Sequence, residues 1–265
     1  MRGGIAAKPK RMLSYSEHGT AGGTPLLIAH GLYGSGRNWG VIAKRLSDTR
    51  RVITVDMRNH GQSFWSDDHS YADLAADLAE VIDTLGGPMD VVGHSMGGKA
   101  AMMLALTRPD TLRRLVIGDI APVSYSHSQI QFIDAMRAVD LATVTRRSDA
   151  NAQLAEQGVD PALCSFLTQS LDVAERRWRL NLEALAANMP EILAFPPVDA
   201  QFSGPTLFLS GGKSDYVSPD YRPTIRALFP AARFVKIPSA GHWLHADDPR
   251  AFEGTVRAYL DAPSS

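Results

Sequence analysis

The chain has 265 residues, enough for one large α/β domain or two small ones, and 45% of them are hydrophobic, which is ample for a full core and excludes disorder as its main state. Its 27 basic and 28 acidic residues leave a formal net charge of -1, so no nucleic acid and no anionic membrane is expected as partner. A single cysteine, Cys164, rules out an internal disulfide and reads as a small buried hydrophobe; no Cys/His cluster has zinc spacing, so no metal is expected.

The first dozen residues are basic without an apolar signal core, and no segment reaches the ~18 consecutive apolar residues of a membrane span. A soluble, cytoplasmic protein is therefore expected. Gly3-Gly4 with Pro9, and Ala262–Ser265, read as frayed ends. Met12–Glu17 alternates weakly and reads as an edge strand, with His18–Gly23 as the turn after it. Leu26–His30 and Arg51–Asp56 are continuous apolar runs, the pattern of strands buried on both faces, and Asn38–Leu46 between them is helical. Leu74, Leu78, Val81, Ile82 and Leu85 recur at helical spacing within Tyr71–Leu85. A short strand, Met89–Val92, then leads to a helix over Lys99–Leu106, and Leu112–Gly118 is the next strand. From Val123 to Ala200 helical periodicity persists without a convincing strand, so residues 123–200 read as an insertion ending near Pro196-Pro197. Strand logic resumes with Thr206–Ser210, a helix over Tyr221–Phe229, the strand Arg233–Ile237 and a last helix, Pro249–Leu260.

Alternating strands and helices predict a mostly parallel sheet with helices on both faces, and such sheets bind ligands beyond the carboxyl ends of their strands. His30-Gly31, Asp56, Ser95, Asp119, Asp215 and His242 each follow a predicted strand end. Gly93-His94-Ser95-Met96-Gly97 has the G-x-S-x-G form, in which a serine sits on a strained strand-to-helix turn and small residues on either side let the backbones pass. The helix that follows points its N-terminal amides at the serine, which favours negative charge there.

A serine hydroxyl becomes a nucleophile when a base takes its proton, and imidazole is the usual base. Of the eight histidines, His242 in Ser239-Ala240-Gly241-His242-Trp243 follows a strand and is suitably placed; His30, His60 and His94 read as histidines that pin loops by hydrogen bonds. The base needs an acid to hold its tautomer, and the order Ser, Asp, His leaves Asp119 and Asp215 as candidates.

These segments resemble the α/β-hydrolase fold over nearly the whole chain: the His30-Gly31 loop, Asp56-x-Arg58-x-x-Gly61-x-Ser63, the Ser95 elbow, Asp215 and Gly241-His242. More narrowly, HGLYGSGRNW, VDMRNHGQS, GHSMGGKAAM, DIAPV, WRLNLEAL and GGKSDYVSP look like a subgroup of small esterases that includes bacterial acyl-ester hydrolases and abhydrolase-domain proteins. The resemblance implies a core of residues 1–122 and 201–265, with a helical cap, 123–200, inserted after the sixth strand. In most members of the fold the acid stands where Asp215 does, whereas in the esterase subgroup the aspartate of the D-I-A-P turn, here Asp119, takes the role; the preference falls on Asp119. The family pattern assigns the oxyanion hole to the backbone amides of Leu32 and Met96.

The cap carries Phe132, Met136, Leu141, Phe166, Leu167, Trp178 and Leu185, some of which must face a pocket if one exists. Tyr33, Trp178 and Trp243 are the candidates for contact with substrate. The expectation is a serine hydrolase acting on a small-molecule carboxylic ester or thioester with a small to medium apolar acyl group, without metal or organic cofactor. Carbon-carbon bond hydrolases, lyases and perhydrolases share the same triad, and a receptor that binds without turnover is the alternative of another class.

Overall fold

The computed structural model describes residues 11–263, so the frayed start expected at Gly3-Gly4 and Pro9, and the last two residues of the expected tail, lie outside the described residues. In chain order the strands are β1 (Tyr15–Ala29), β2 (Arg50–Val55), β3 (Met89–His94), β4 (Leu112–Gly118), β5 (Leu171–Asp172), β6 (Arg177–Trp178), β7 (Thr206–Gly211) and β8 (Ala232–Ile237). The helices are α1 (Gly40–Leu46), α2 (Tyr71–Thr84), α3 (Met96–Thr107), α4 (Ile130–Ala138), α5 (Arg147–Glu156), α6 (Pro161–Leu167), α7 (Leu182–Ala187), α8 (Met189–Leu193), α9 (Arg222–Leu228), α10 (Leu244–Asp247) and α11 (Pro249–Asp261).

Six strands form one sheet in the order β2-β1-β3-β4-β7-β8, with parallel pairing from β1 through β8. Side chains of successive strand residues point to opposite faces, and the core divides accordingly. Leu27, Val91 and Ile117 pack with Leu74, Leu78 and Met103 on one face. Ile28, Val92 and Val116 pack with Ile42, Phe252 and Val256 on the other. Burial on both faces is why these strands read as unbroken apolar runs. Ser70 caps α2 by accepting from the Asp73 amide, and Asp248 caps α11 by accepting from Ala251.

Several boundaries differ from the sequence reading. The edge strand and the first buried strand are one element, β1. From Tyr15 to His18 its partners in β2 descend from Val55 to Val52; from Leu26 to Ala29 they ascend from Val52 to Val55. The strand thus flanks β2 on both sides, and Gly19, at φ 71°, lets the chain double around it in place of a turn. Helix α3 begins at Met96, three residues before the predicted start, because Gly97 and Gly98 are helical. The short helix α10 and the β5–β6 ribbon carry no periodicity that a sequence reading can detect.

Residues 123–200 follow β4, the fourth strand among the described residues and not the sixth that the resemblance implies. They hold α4 to α8 and the ribbon, and their buried side chains, among them Ile133, Met136, Leu154, Cys164, Leu167 and Leu185, form a cluster of their own. Among the described residues no helix is long and apolar enough to cross a membrane.

A Cβ on Gly97 would overlap the carbonyl oxygens of His30 and Ala29, both of them backbone atoms with little freedom to move. Gly97→Ala is expected to lower unfolding free energy by about 1–3 kcal/mol. Gly254→Ala, whose Cβ would meet nothing on α11, is expected to raise it by about 0.5–1 kcal/mol. Urea titration of the two variants checks the contrast.

Candidate active site

Strand β3 ends at His94 and α3 starts at Met96, so the whole change of direction falls on Ser95, at φ 51° and ψ -119°. This is a strained conformation for a residue with a Cβ. It is held by the Ser95 amide donating to Gly118 O at 3.0 Å and the Lys99 amide donating to Ser95 O at 3.0 Å. Side chains at 93 and 97 would collide with backbone, Gly93 with Gly97 and Gly97 with Ala29 and His30, which is the physical content of the glycine pattern.

Register brings the second residue into place. His94 pairs with Gly118 across β3 and β4, so Ser95 and Asp119 leave the sheet side by side, both at positive φ. Asp119 is fully buried. Its Oδ1 accepts from the Gly211 amide at 2.9 Å, and its Oδ2 accepts from the Ser214 hydroxyl and lies 2.8 Å from His242 Nδ1. His242 Nε2 lies 3.1 Å from Ser95 Oγ. These partners define a tautomer in which Nδ1–H donates to Asp119 and Nε2 is free to accept from the serine. Asp215, the other candidate acid, is exposed in the loop after β7, and among the described residues it makes no hydrogen bond to His242. The structure brings Asp119 to the histidine and leaves Asp215 outside.

Three of the other histidines hold backbone. His94 Nε2–H donates to His242 O at 2.8 Å, fixing the loop that carries the proposed base, and burial keeps its pKa well below the ordinary value. His30 donates through Nδ1 to Gly31 O at 2.8 Å and accepts from the Met57 amide at 2.9 Å. His60 donates to Arg58 O at 2.8 Å and accepts from the Tyr33 amide at 3.2 Å. Burial lowers His30 to about 4 and His60 to about 3, so both are neutral and their tautomers are set by these partners. Between them the chain turns at Tyr33, φ 64°. The amides of Leu32 and Met96 have no hydrogen-bond partner among the described residues.

These groups open on one cavity of about 250 Å³, lined from the core by Leu32, Tyr33, Ser95, Met96, His242 and Trp243. The insertion supplies Phe132, Leu163, Phe166, Ile192 and Leu193. Trp178 does not line it: this residue is buried in the insertion's own core, and its Nε1 donates to Met136 O at 2.9 Å. An indole with its polar edge satisfied inside a packed cluster has no face left for a ligand. Two tyrosines escaped the sequence reading. The Tyr216 ring stacks on His242 at 4.1 Å, and Tyr125 donates its hydroxyl to Tyr216 O at 2.6 Å while accepting from the Ala121 amide at 2.9 Å. Tyr216 stands directly after Asp215, but no spacing rule points a loop tyrosine at a histidine 26 residues on.

The family model for the alpha/beta hydrolase fold matches residues 24–249. The chain is 44% identical over 246 residues to the sn-1-specific diacylglycerol lipase ABHD11 of Mus musculus, covering 89% of this chain and 80% of that protein. It is 37% identical over 242 residues to the esterase YbfF of Escherichia coli, covering 90% of this chain and 93% of that one. Among solved structures, a marine microorganism esterase superposes with a TM-score of 0.89 at 36% identity, over 94% of this chain and 100% of that chain.

The neutral histidines make stability depend on pH. His30 stands at about 4, and His60, His69 and His245 at about 3, all lowered first by burial. The unfolded chain therefore takes up their protons first as pH falls below about 6.5. Unfolding free energy is expected to be full above that pH and to fall between pH 6.5 and 5, by about 1.4 kcal/mol per unit for each histidine that stays neutral in the fold. Urea titrations across that window check it; a flat profile contradicts it.

Proposed function

The chain belongs to the α/β-hydrolase fold family and is an esterase-type hydrolase, and from that premise we propose that it cleaves carboxylic esters through an acyl-enzyme on Ser95. The observation that carries this reading is the unbroken run from Ser95 Oγ to His242 Nε2 at 3.1 Å and from His242 Nδ1 to Asp119 Oδ2 at 2.8 Å. Ser95 Oγ attacks the ester carbonyl carbon while its proton passes to His242 Nε2, and Asp119 stabilises the imidazolium that forms. The oxyanion is met by the amides of Leu32 and Met96, the latter at the N-terminus of the 12-residue helix α3. Collapse breaks the bond to the alcohol oxygen, which takes the proton from His242. Water then attacks the acyl carbon as His242 accepts its proton; collapse breaks the bond to Ser95 Oγ, which takes that proton back from His242, and the acid is released.

Residues 123–200 act as the cap over this site. Its Phe132, Phe166 and Ile192, with Tyr33 and Trp243 of the core, form apolar walls suited to a hydrocarbon acyl group, as ester or thioester. A cavity of about 250 Å³ suits a small to medium acyl group better than a long one. Relatives named esterase and diacylglycerol lipase support an ester with an apolar acyl part.

Initial rates on p-nitrophenyl esters of graded acyl length test the reading. Ser95→Ala is expected to lose about 10⁴-fold or more in kcat, and Asp119→Asn about 10⁴-fold through loss of the correct tautomer. Asp215→Asn, a surface change, is expected to stay within about twofold. Loss in Asp215→Asn without loss in Asp119→Asn overturns the assignment of the acid, and retained activity in Ser95→Ala overturns the nucleophile.

A further inference from the structure

Lys99 lies one helical turn after Ser95 on α3, a helix whose residues from Met96 to Leu106 are all buried. The lysine itself is 1% exposed. An ammonium taken out of water is costly unless it is paired and hydrogen-bonded, yet among the described residues no carboxylate faces it. Its Nζ donates to Leu193 O at 2.8 Å and Ala194 O at 2.7 Å, and it sits over the rings of Tyr125 at 4.9 Å and Tyr71 at 5.6 Å. An ammonium has three donors, so one N–H has no acceptor here. Lys99 also lines the cavity, where Met96, Ile120 and Ile192 supply apolar wall. Burial lowers its pKa to about 7, which an anion beside it would reverse.

The aromatic chain locates this cation relative to the chemistry. Tyr216 stacks on His242, Tyr125 packs on Tyr216 with ring centres 5.2 Å apart, and Lys99 lies beyond Tyr125. His242 hands its proton to the leaving oxygen, so the alcohol lies on the histidine side. Two rings separate the cation from His242, so it lies away from the atom that receives that proton.

We propose that Lys99 anchors a carboxylate at the far end of the substrate's acyl group, so that half-esters of short dicarboxylic acids are substrates of this enzyme. The inference rests on the reading of Ser95 as the nucleophile. Methylenes of the acyl chain occupy the apolar wall, and the terminal carboxylate completes the hydrogen bonding of the ammonium and supplies its missing counter-charge. Lys99 is in this sense a specificity residue that meets the substrate away from the reacting atoms.

The test compares p-nitrophenyl hemiglutarate with its uncharged isostere, p-nitrophenyl 5-methylhexanoate, using enzyme-free buffer to subtract non-enzymatic release and Ser95→Ala as a separate control. For the wild type, kcat/KM for the half-ester should equal or exceed that for the isostere. In Lys99→Met the ratio of the two should fall by about 10–100-fold, mainly through KM of the half-ester, the loss expected for one hydrogen bond to a charged group. Equal falls on both esters would reduce Lys99 to a tie for Leu193 and Ala194 and overturn the proposal. Wild-type rejection of the half-ester by more than about 100-fold, the behaviour of an apolar wall without a cation, overturns it independently of whether the variant folds. Release from the isostere that survives Ser95→Ala would instead refute the serine mechanism, and the two failures are thereby told apart.

Discussion

Everything at the site depends on a turn with no spare residue. Ser95 alone joins β3 to α3, and the left-handed backbone it adopts persists only because Gly93, Gly97 and Gly98 let the strand, the helix and the neighbouring Ala29–His30 backbone approach without side chains between them. The same close approach sets the Met96 amide at the first position of α3, and parallel pairing with β4 carries Asp119 out beside the serine. Asp119 in turn accepts the Gly211 amide, so β4 and β7 are tied at their carboxyl ends by one buried carboxylate. His242 enters this frame from the loop after β8, with its own backbone held by His94.

A second constraint concerns the loop opposite the serine. Leu32 and Tyr33 are clamped from both sides: His60 accepts the Tyr33 amide from the core, while Ser170 of the insertion donates its hydroxyl to Tyr33 O at 2.8 Å and the Tyr33 hydroxyl donates to Gln129 O at 2.8 Å. Further ties join the insertion to the loop after β2 that carries His60, from the Gly61 amide to Arg179 O at 2.8 Å and from the Asn181 amide to Asn59 O at 2.9 Å. The clamped Leu32-Tyr33 loop has little freedom to reorganise, and preorganised amides are what stabilise charge that develops during acyl transfer. The insertion therefore shapes the cavity and also holds the loop whose Leu32 amide faces no internal acceptor.

What was legible in the sequence follows from which signals are local. Strands buried on both faces announce themselves as apolar runs, and Ser95 and His242 could be named because strand ends and glycine turns surround them. The choice between Asp119 and Asp215 was not local: it depends on the register between β3 and β4 and on which way the loop after β7 turns, neither of which leaves a trace in spacing. Trp178 was misplaced for a related reason, since an aromatic in a helical insertion has the same signature whether it faces a cavity or a core. Lys99 and Tyr216 carry the opposite lesson. A lysine in an otherwise apolar helix directly after the elbow is a visible anomaly, whereas the stacking of Tyr216 on His242 appears only when β7 and β8 are laid side by side.

The most direct measurement of the central claim is the site of covalent capture. An alkyl fluorophosphonate, which reacts with a serine hydroxyl only when a neighbouring base has activated it, should add once to the protein, and peptide mass mapping should place the adduct on Ser95 and abolish it in His242→Ala. An adduct on another residue, or labelling of Ser95 that is indifferent to the loss of His242, would contradict the account.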